Sequence, residues 1–272
     1  MTRENMISII QADADKLTSY DIHYDKDHAD KVKRIVIDVD VQAADIIETI
    51  AHLMSNDYSW IKQHRAIFKD GNDKIDKSVA CQAIIPILSC GKYCPGCYAA
   101  NCCVGAHGKA VTLAWYRWYF IEKHYPELYF AQVKYEIEHS KKLNYRLHVS
   151  GDFIDITDYD NWNDSIKLYP AKHFYTYSKV PETRTADKAD NLNIVDSCPM
   201  NHINYGDKEY IDKLADTIEK KTGSRPWICK CGTDTEKSFN APHKAVKDGI
   251  RYCGGICKHC QTDPYVLFEK HN

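Results

Sequence analysis

Three cysteines with the spacing C-x3-C-x2-C lie on one short loop and constrain this chain more than any other feature. These are Cys90, Cys94 and Cys97. The apolar residues 83–88 come before them and predict a buried strand, and residues 108–125 come after them and predict a helix. Three thiols that follow a strand can hold three irons of a four-iron cluster and leave the fourth iron open.

Zinc is the alternative metal for this loop. A structural zinc ion takes four protein ligands, usually as two close pairs. Cys81, Cys102 or a more distant cysteine would have to complete such a site. Since the C-x3-C-x2-C spacing is less usual for zinc than paired C-x2-C, we favour iron and sulfur.

The same spacing recurs near the end of the sequence, in Cys253, Cys257 and Cys260. Cys231 is the predicted fourth ligand there, and Cys229 is the alternative. Structural zinc and a second [4Fe–4S] cluster fit this group equally well. Residues 225–272 are therefore predicted to form a Cys-rich metal-binding module that a metal orders.

Composition narrows the class of protein. The chain has 272 residues, twelve of them cysteine, and a formal net charge of −2. This balance gives no sign of a polybasic membrane anchor or a general coat for nucleic acid, although a local basic groove for nucleic acid stays possible. There is no run of about 18 apolar residues, so we expect a cytoplasmic protein without a membrane partner. Cysteines in that compartment favour metal over disulfides.

The hydrophobic pattern predicts an α/β fold. Residues 1–31 are polar and predict a solvated lead-in, and the alternation over 34–41 predicts a strand. Helices are predicted over 42–54, 108–125, 127–143, 157–168 and 207–222, and further strands over 145–149, 172–177, 191–195 and 226–229. This order is typical of parallel strands with crossover helices. Because a complete barrel needs about 250 residues, we expect a partial (β/α) barrel of mainly parallel strands.

We divide the chain into an N-terminal α/β extension (1–79), the partial barrel (80–224) and the Cys-rich module (225–272). Polar residues follow the predicted strands of the barrel at Cys90, Asp152, Lys179 and Asp196. The carboxyl ends of parallel strands form the ligand-binding edge of such sheets, so these residues are expected at one site.

Three sequence runs carry a resemblance to known families. They are Cys94-Pro95-Gly96-Cys97-Tyr98-Ala99, Arg146-Leu147-His148-Val149-Ser150-Gly151-Asp152-Phe153 and Phe174-Tyr175-Thr176-Tyr177. With the cysteine triplet, this arrangement resembles the radical S-adenosylmethionine (radical SAM) superfamily. The runs also look like the gene-product-eighty-eight-like proteins of phages and mobile elements, some of them labelled replication-associated. The likeness spans roughly residues 80–260.

The radical SAM resemblance implies a cofactor and its contacts. Cys90, Cys94 and Cys97 would ligate a [4Fe–4S] cluster whose open iron takes the amino and carboxylate groups of SAM. Ser150, Gly151 and Asp152 stand where the superfamily usually has Gly-Gly-Glu, which holds the SAM ammonium group. Gly96 stands where an aromatic residue commonly lies near the adenine, and Tyr98 follows two positions later. Strand-end position assigns Ser178 or Lys179 to the SAM carboxylate and Asp196 or Ser197 to the ribose.

The resemblance therefore implies an enzyme that accepts one electron from an external donor, cleaves SAM and starts radical chemistry on a substrate. Two alternatives from other classes stay open. One is a non-enzymatic zinc or iron–sulfur protein that binds nucleic acid or a protein partner. The other is an iron–sulfur redox sensor whose binding to DNA changes with the state of the cluster.

Overall fold

The structure is a computed structural model that describes residues 1–23, 32–71, 77–90, 97–104, 107–184, 186–196, 208–225, 227–229, 243–247, 250–253 and 265–268. The chain folds into two compact units. The helical unit comprises Met1–Lys69, Gln82–Lys141 and His148–Ser165. The sheet unit comprises Asp70–Cys81, Lys142–Leu147 and Ile166–Asn272.

The helices and strands follow one another in chain order. The first are α1 (Arg3–Thr18), β1 (Ile22–His23), β2 (Val32–Lys33), α2 (Val39–Met54), α3 (Tyr58–Arg65), β3 (Lys69–Asp70) and β4 (Val79–Cys81). A 3-10 helix (Tyr98–Cys103), α4 (Gly108–His124), α5 (Pro126–Glu138), β5 (Asn144–Leu147), α6 (Ile156–Lys167) and β6 (His173–Ser178) follow. A 3-10 helix (Pro181–Arg184), β7 (Leu192–Asp196), α7 (Lys208–Thr222), β8 (Trp227–Cys229), β9 (His243–Lys247), β10 (Ile250–Cys253) and β11 (Tyr265–Phe268) complete the series.

The prediction that residues 1–31 form a solvated segment without regular structure is wrong, because Arg3–Thr18 form helix α1. The side chain of Thr2 caps this helix by accepting the backbone N–H of Asn5 at 3.3 Å. Its buried residues recur at helical spacing, at Met6, Ile10, Ala14 and Leu17. The stripe is narrow, with polar residues on either side, which is why the sequence suggested a solvated segment.

The predicted strand over residues 34–41 is also wrong. The carboxylate of Asp38 accepts the backbone N–H of Val41 at 3.2 Å, so α2 begins at Val39. Ile35 and Ile37 are buried as the alternation predicted, but they lie outside a strand. Helix α2 packs in the helical unit, where the carboxylate of Asp45 forms an ion pair with the buried Arg117 of α4 at 2.7 Å.

The sheet unit contains a sheet with the strand order β3-β4-β5-β6-β7-β11-β8. The pairs β4–β5, β5–β6, β6–β7, β7–β11 and β11–β8 are all parallel. Among the described strands the first and last of this order do not pair with each other, so the sheet is open. The prediction of a mixed α/β fold with mainly parallel strands is confirmed at this level.

The sheet continues into the segment that the sequence assigned to a Cys-rich module. β8 and β11 are strands of the main sheet, and β9 and β10 form a separate antiparallel pair. β11 was not predicted, and it lies between β7 and β8. The predicted helix and strand positions from residue 108 to residue 229 agree with the structure to within two residues, except that α5 ends at Glu138, five residues before its predicted end. In the part of the chain that is described, no helix is long and apolar enough to cross a membrane.

Candidate functional site

Cys90 lies at the end of a buried turn in the helical unit. The predicted strand over residues 83–88 is wrong, since β4 ends at Cys81. Pro86 has no backbone N–H for a ladder, and Ile87 has a φ of 74°, which turns the chain. The prediction that this segment is buried is confirmed, and the Cys90 side chain itself is only 8% exposed.

The turn contains a strained residue. A β-branched side chain with positive φ is a true outlier, because its Cβ crowds the neighbouring carbonyl. Ile87 adopts this conformation three residues before Cys90. Such strain persists only where the surrounding structure imposes it, and it is concentrated at functional sites. The strain therefore adds a reason to regard the Cys90 turn as functional.

The Ser150-Gly151-Asp152 segment packs directly on this turn, although Cys90 does not lie at the end of a strand as the sequence predicted. The backbone N–H of Ile84 donates to the carbonyl of Ser150 at 3.1 Å, and that of Val149 donates to the carbonyl of Gln82 at 2.9 Å. Gly151 has a φ of 84°, and a Cβ there would lie 2.5 Å from Ile84 Cγ1 and 2.7 Å from Ser89 Oγ. Only glycine satisfies both the dihedral angle and the close approach.

The electrostatics of Cys90 place two further groups beside it. Burial is the main cause that raises the pKa of the Cys90 thiol to about 12, and the negative charges of Asp152 and Cys97 raise it further. Ser89 Oγ lies 3.7 Å from Cys90 Sγ. The backbone N–H of Cys97 donates to the hydroxyl of Tyr20 at 3.3 Å. Cys97 and Asp152 therefore both lie within electrostatic range of the Cys90 thiol.

The structure describes only some of the other residues in and after the predicted cluster loop. Cys94 lies outside the described residues, and Tyr98 is the first residue of the 3-10 helix that follows Cys97. Cys103 is buried and Cys102 is exposed. Gly108 lets α4 begin against the backbone of Cys103, since a Cβ at Gly108 would lie 2.4 Å from that carbonyl oxygen.

The predicted residues of the later strands lie in the sheet unit. Ser178 ends β6 and is paired in register with Asp196, which ends β7, and Lys179 follows Ser178. The hydroxyl of Ser178 accepts the backbone N–H of Val180 at 3.1 Å. Ser197 lies outside the described residues. The expectation that Ser178 and Asp196 meet at the carboxyl ends of neighbouring strands agrees with this register, and their contacts with SAM stay a prediction.

The C-terminal cysteines are described only where they belong to strands. Cys229 ends β8, and Cys253 ends β10 opposite His243. Three predicted ligands lie outside the described residues, namely Cys231, Cys257 and Cys260. The fourth-ligand choice between Cys229 and Cys231 stays a prediction.

A further group of polar side chains in the helical unit was missed by the sequence reasoning. One potential ligand atom each of Glu122, His148 and Asp158 lies within 4.8 Å of the others, and all three residues are buried. Glu122 Oε1 accepts the indole N–H of Trp162 at 2.7 Å. Asp158 Oδ2 accepts the backbone N–H of Ile154 at 3.0 Å. We call Glu122, His148 and Asp158 the acidic–histidine cluster.

His148 is buried within the helical unit. It is 3% exposed, and its backbone N–H donates to Gln82 Oε1 at 2.7 Å. Its φ is 51°, a second strained position, and its ring packs edge-on against Phe153 and Trp162. Burial lowers the pKa of His148 to about 3, so its imidazole is neutral at physiological pH.

The two carboxyl groups of the cluster are held in the same apolar surroundings. Burial raises the pKa of Glu122 well above its ordinary value, and the neighbouring charge of Asp158 raises it further. Burial also raises the pKa of Asp158. Neither carboxylate forms an ion pair with any lysine or arginine that the structure describes. A signal was present in the sequence, because Glu122 is the acidic residue in the aromatic run of α4.

Fold and site together define a mainly parallel α/β protein in which the segment that carries Asp152 packs on the turn that ends at the buried Cys90. The gene product 88 family model matches residues 62–262, so the chain belongs to that family. The resemblance to the gene-product-eighty-eight-like group is thereby confirmed. No curated protein and no solved structure matches the chain.

Proposed function

We propose that this chain is a radical SAM-like iron–sulfur enzyme that reductively cleaves S-adenosylmethionine to start radical chemistry on a substrate. The observation that carries this proposal is that Asp152 and Cys97 are both close enough to Cys90 for their charges to raise the pKa of its thiol. Cys90 and Cys97 belong to the cysteine triplet, and Asp152 belongs to the sequence run that resembles the superfamily's SAM-binding segment. Membership of the family does not indicate an activity, so the proposal is supported by the chemistry of these three residues.

The donor set fits a cluster and a cationic ligand. The negative charges of Asp152 and Cys97 oppose ionisation of the Cys90 thiol. Iron would stabilise the thiolates, and the carboxylate of Asp152 would accept a charge-assisted hydrogen bond from an ammonium group on a bound ligand. When bound, a [4Fe–4S] cluster and SAM supply one-electron cleavage to methionine and a 5′-deoxyadenosyl radical, with the electron from an external donor.

The chain's own residues would hold and orient these groups. In this proposal Cys90, Cys94 and Cys97 ligate the cluster. The close approach of Gly151 to Ser89 and Ile84 fixes the Ser150-Gly151-Asp152 segment against the turn. Such a fixed segment would hold the SAM ammonium group in a single orientation.

Finer assignments belong to the same proposal. The open parallel sheet would be a partial barrel, with Ser178, Lys179, Asp196 and Ser197 at its strand ends as ligands for the SAM carboxylate and ribose and Tyr98 near the adenine. The register of Ser178 with Asp196 supports the strand-end pairing within the sheet unit. The C-terminal cysteines would hold zinc or a second [4Fe–4S] cluster. Membership of the gene product 88 family is consistent with a phage or mobile-element origin.

The decisive experiment is anaerobic reconstitution with iron and sulfide, followed by dithionite and SAM. We expect a cluster absorbance in the purified chain and formation of 5′-deoxyadenosine. Cys90→Ser should lower both. Asp152→Asn should keep the cluster and lower only the product, because it removes a charge from the SAM contact and leaves the thiols in place.

Cys102→Ser is the matched control, since Cys102 is an exposed cysteine close in sequence to the cluster loop. It should retain the iron content and the product of the wild type. A loss of metal in Cys102→Ser would indicate a site with four protein ligands, as zinc prefers. An intact cluster without 5′-deoxyadenosine would overturn the enzyme and favour the redox sensor. Zinc without iron would favour a non-enzymatic protein that binds nucleic acid or a partner.

A further inference from the structure

The acidic–histidine cluster uses residues that the proposed iron–sulfur site does not. Glu122 lies in the last turn of α4, His148 directly follows β5, and Asp158 lies in the first turn of α6. Three separate segments of the helical unit therefore bring one nitrogen donor and two carboxylates within 4.8 Å of one another. This convergence includes no cysteine.

Fixed partners orient each carboxyl group, and the groups of Glu122 and Asp158 also interact with each other and, for Glu122, with the hydroxyl of Tyr129. Trp162 holds Glu122 through Oε1, and the backbone of Ile154 holds Asp158 through Oδ2. Glu122 Oε2 and Asp158 Oδ1 are buried and accept no hydrogen bond from the residues that the structure describes. Glu122 is 2% exposed and Asp158 is 7% exposed, so bulk water does not compensate for the missing partners.

Charge makes the cluster unusual for a purely structural network. Two ionised carboxylates without a basic partner are costly to bury. In the absence of a cation the pair must keep or share protons. A divalent ion would compensate both negative charges at once.

We propose that Glu122, His148 and Asp158 bind a divalent transition-metal ion that takes mixed nitrogen and oxygen ligands, such as Mn(II), Fe(II) or Zn(II). Imidazole suits zinc and iron, and carboxylates suit manganese, so the ligand set selects against ions that require thiolates. The indole of Trp162 and the backbone of Ile154 then act as the outer contacts that orient the ligands. The site is independent of the proposed SAM chemistry, and either one can fail alone.

Mn(II) is the probe, because it favours oxygen and nitrogen ligands and thereby avoids the cysteines. The full chain is freed of metal by chelation and titrated with Mn(II) near neutral pH, with free Mn(II) measured by electron paramagnetic resonance. We expect one Mn(II) per chain, and pulsed resonance should detect nitrogen coupling from His148. Glu122→Gln and Asp158→Asn should each weaken binding by more than about tenfold, since even outer-shell changes cost that much.

Glu136→Gln is the matched control. Glu136 is also a buried glutamate of the helical unit, but its two oxygens accept the backbone N–H groups of Ile67 at 2.9 Å and Phe68 at 3.0 Å. This variant should bind Mn(II) as the wild type does. The Gln in Glu122→Gln keeps an acceptor for Trp162, so this variant should fold.

A second readout depends on the sign of a stability change. Without metal, Glu122→Gln should unfold at the same urea concentration as the wild type or at a higher one, because it replaces a carboxyl group whose ionisation is opposed by burial with a neutral amide. With Mn(II), only the wild type and Glu136→Gln should gain stability. Two results would overturn the metal site in favour of a carboxyl pair that shares a proton. One is equal Mn(II) affinity in the wild type and Glu122→Gln, and the other is a wild-type Mn(II) complex without nitrogen coupling.

Discussion

Gly151 offers a quantitative test of how tightly the Ser150-Gly151-Asp152 segment must pack on the Cys90 turn. A Cβ at Gly151 would lie 2.5 Å from Ile84 Cγ1 and 2.7 Å from Ser89 Oγ, well inside the 3.5–4.0 Å at which non-bonded carbon atoms are best separated. The residue also has a φ of 84°. Gly223, the residue that follows α7, has a φ of 74°, but a Cβ at this position would meet no described atom within 4 Å.

The two glycines therefore separate the cost of the dihedral angle from the cost of packing. A non-glycine residue in the left-handed region costs about 1–2 kcal/mol. An extra methyl group in a packed interior costs about 1–3 kcal/mol more. Gly151→Ala should lower the free energy of unfolding by about 2–5 kcal/mol, and Gly223→Ala by about 1–2 kcal/mol.

Equilibrium denaturation in urea of the metal-free chain, followed by circular dichroism, measures both changes. Each variant is referred to the transition of the unit that carries it, because Gly151 belongs to the helical unit and Gly223 to the sheet unit. A loss for Gly151→Ala no larger than that for Gly223→Ala would refute the close packing of this segment on the turn.

Three further predictions concern the helical unit. Asp45→Asn removes the close partner of the buried Arg117 and should lower the free energy of unfolding by about 3–5 kcal/mol in urea, whereas a loss below about 1 kcal/mol would contradict the buried ion pair. Burial raises the pKa of Glu136, so its carboxyl group binds its proton more tightly in the folded chain than in the unfolded one. Its contribution to stability should be complete below the unfolded pKa of about 4.3 and should decline as the pH rises through the folded value. Urea titrations of the wild type and Glu136→Gln from acidic to neutral pH measure this as a shrinking difference, and a growing difference would contradict it. In the metal-free chain, iodoacetamide should label the exposed Cys102 before the buried Cys90, because the pKa of the Cys90 thiol is raised to about 12. Peptide mass mapping measures the order of labelling. Faster labelling of Cys90 would show that the turn is open.

Much of the fold could be predicted from the periodicity of the apolar residues. The predictions were wrong where a single residue stopped the helix or strand that this periodicity indicated. The regular helices and parallel strands after residue 108 have patterns that span several turns or a full strand. Ile35 and Ile37 alternate as in a strand, but the capping carboxylate of Asp38 starts a helix immediately afterwards. Similarly, residues 83–88 are as apolar as a buried strand, yet Pro86 and the positive φ of Ile87 end the regular backbone.

The residues of the candidate site also differ in how clearly the sequence points to them. The sequence points to the thiols of the Cys90 loop because their spacing is local, and their role as ligands stays a prediction. Asp152 was singled out by its position after a strand, and the structure places its segment on the Cys90 turn. The acidic–histidine cluster has no local spacing, since its members are residues 122, 148 and 158 on three separate segments that meet only in the folded chain. A single glutamate in an aromatic helix is too weak a pattern to identify two partners.

The position of β11 has a consequence for the order in which the sheet unit can assemble during translation. β11 pairs with β7 on one side and with β8 on the other, although β8 precedes it in the chain. On the ribosome, β8 therefore cannot join the sheet when it emerges, and it must wait until residues 265–268 have been synthesised. Until then the nascent chain exposes the edge of β7, a surface that a chaperone or a second nascent chain can pair with.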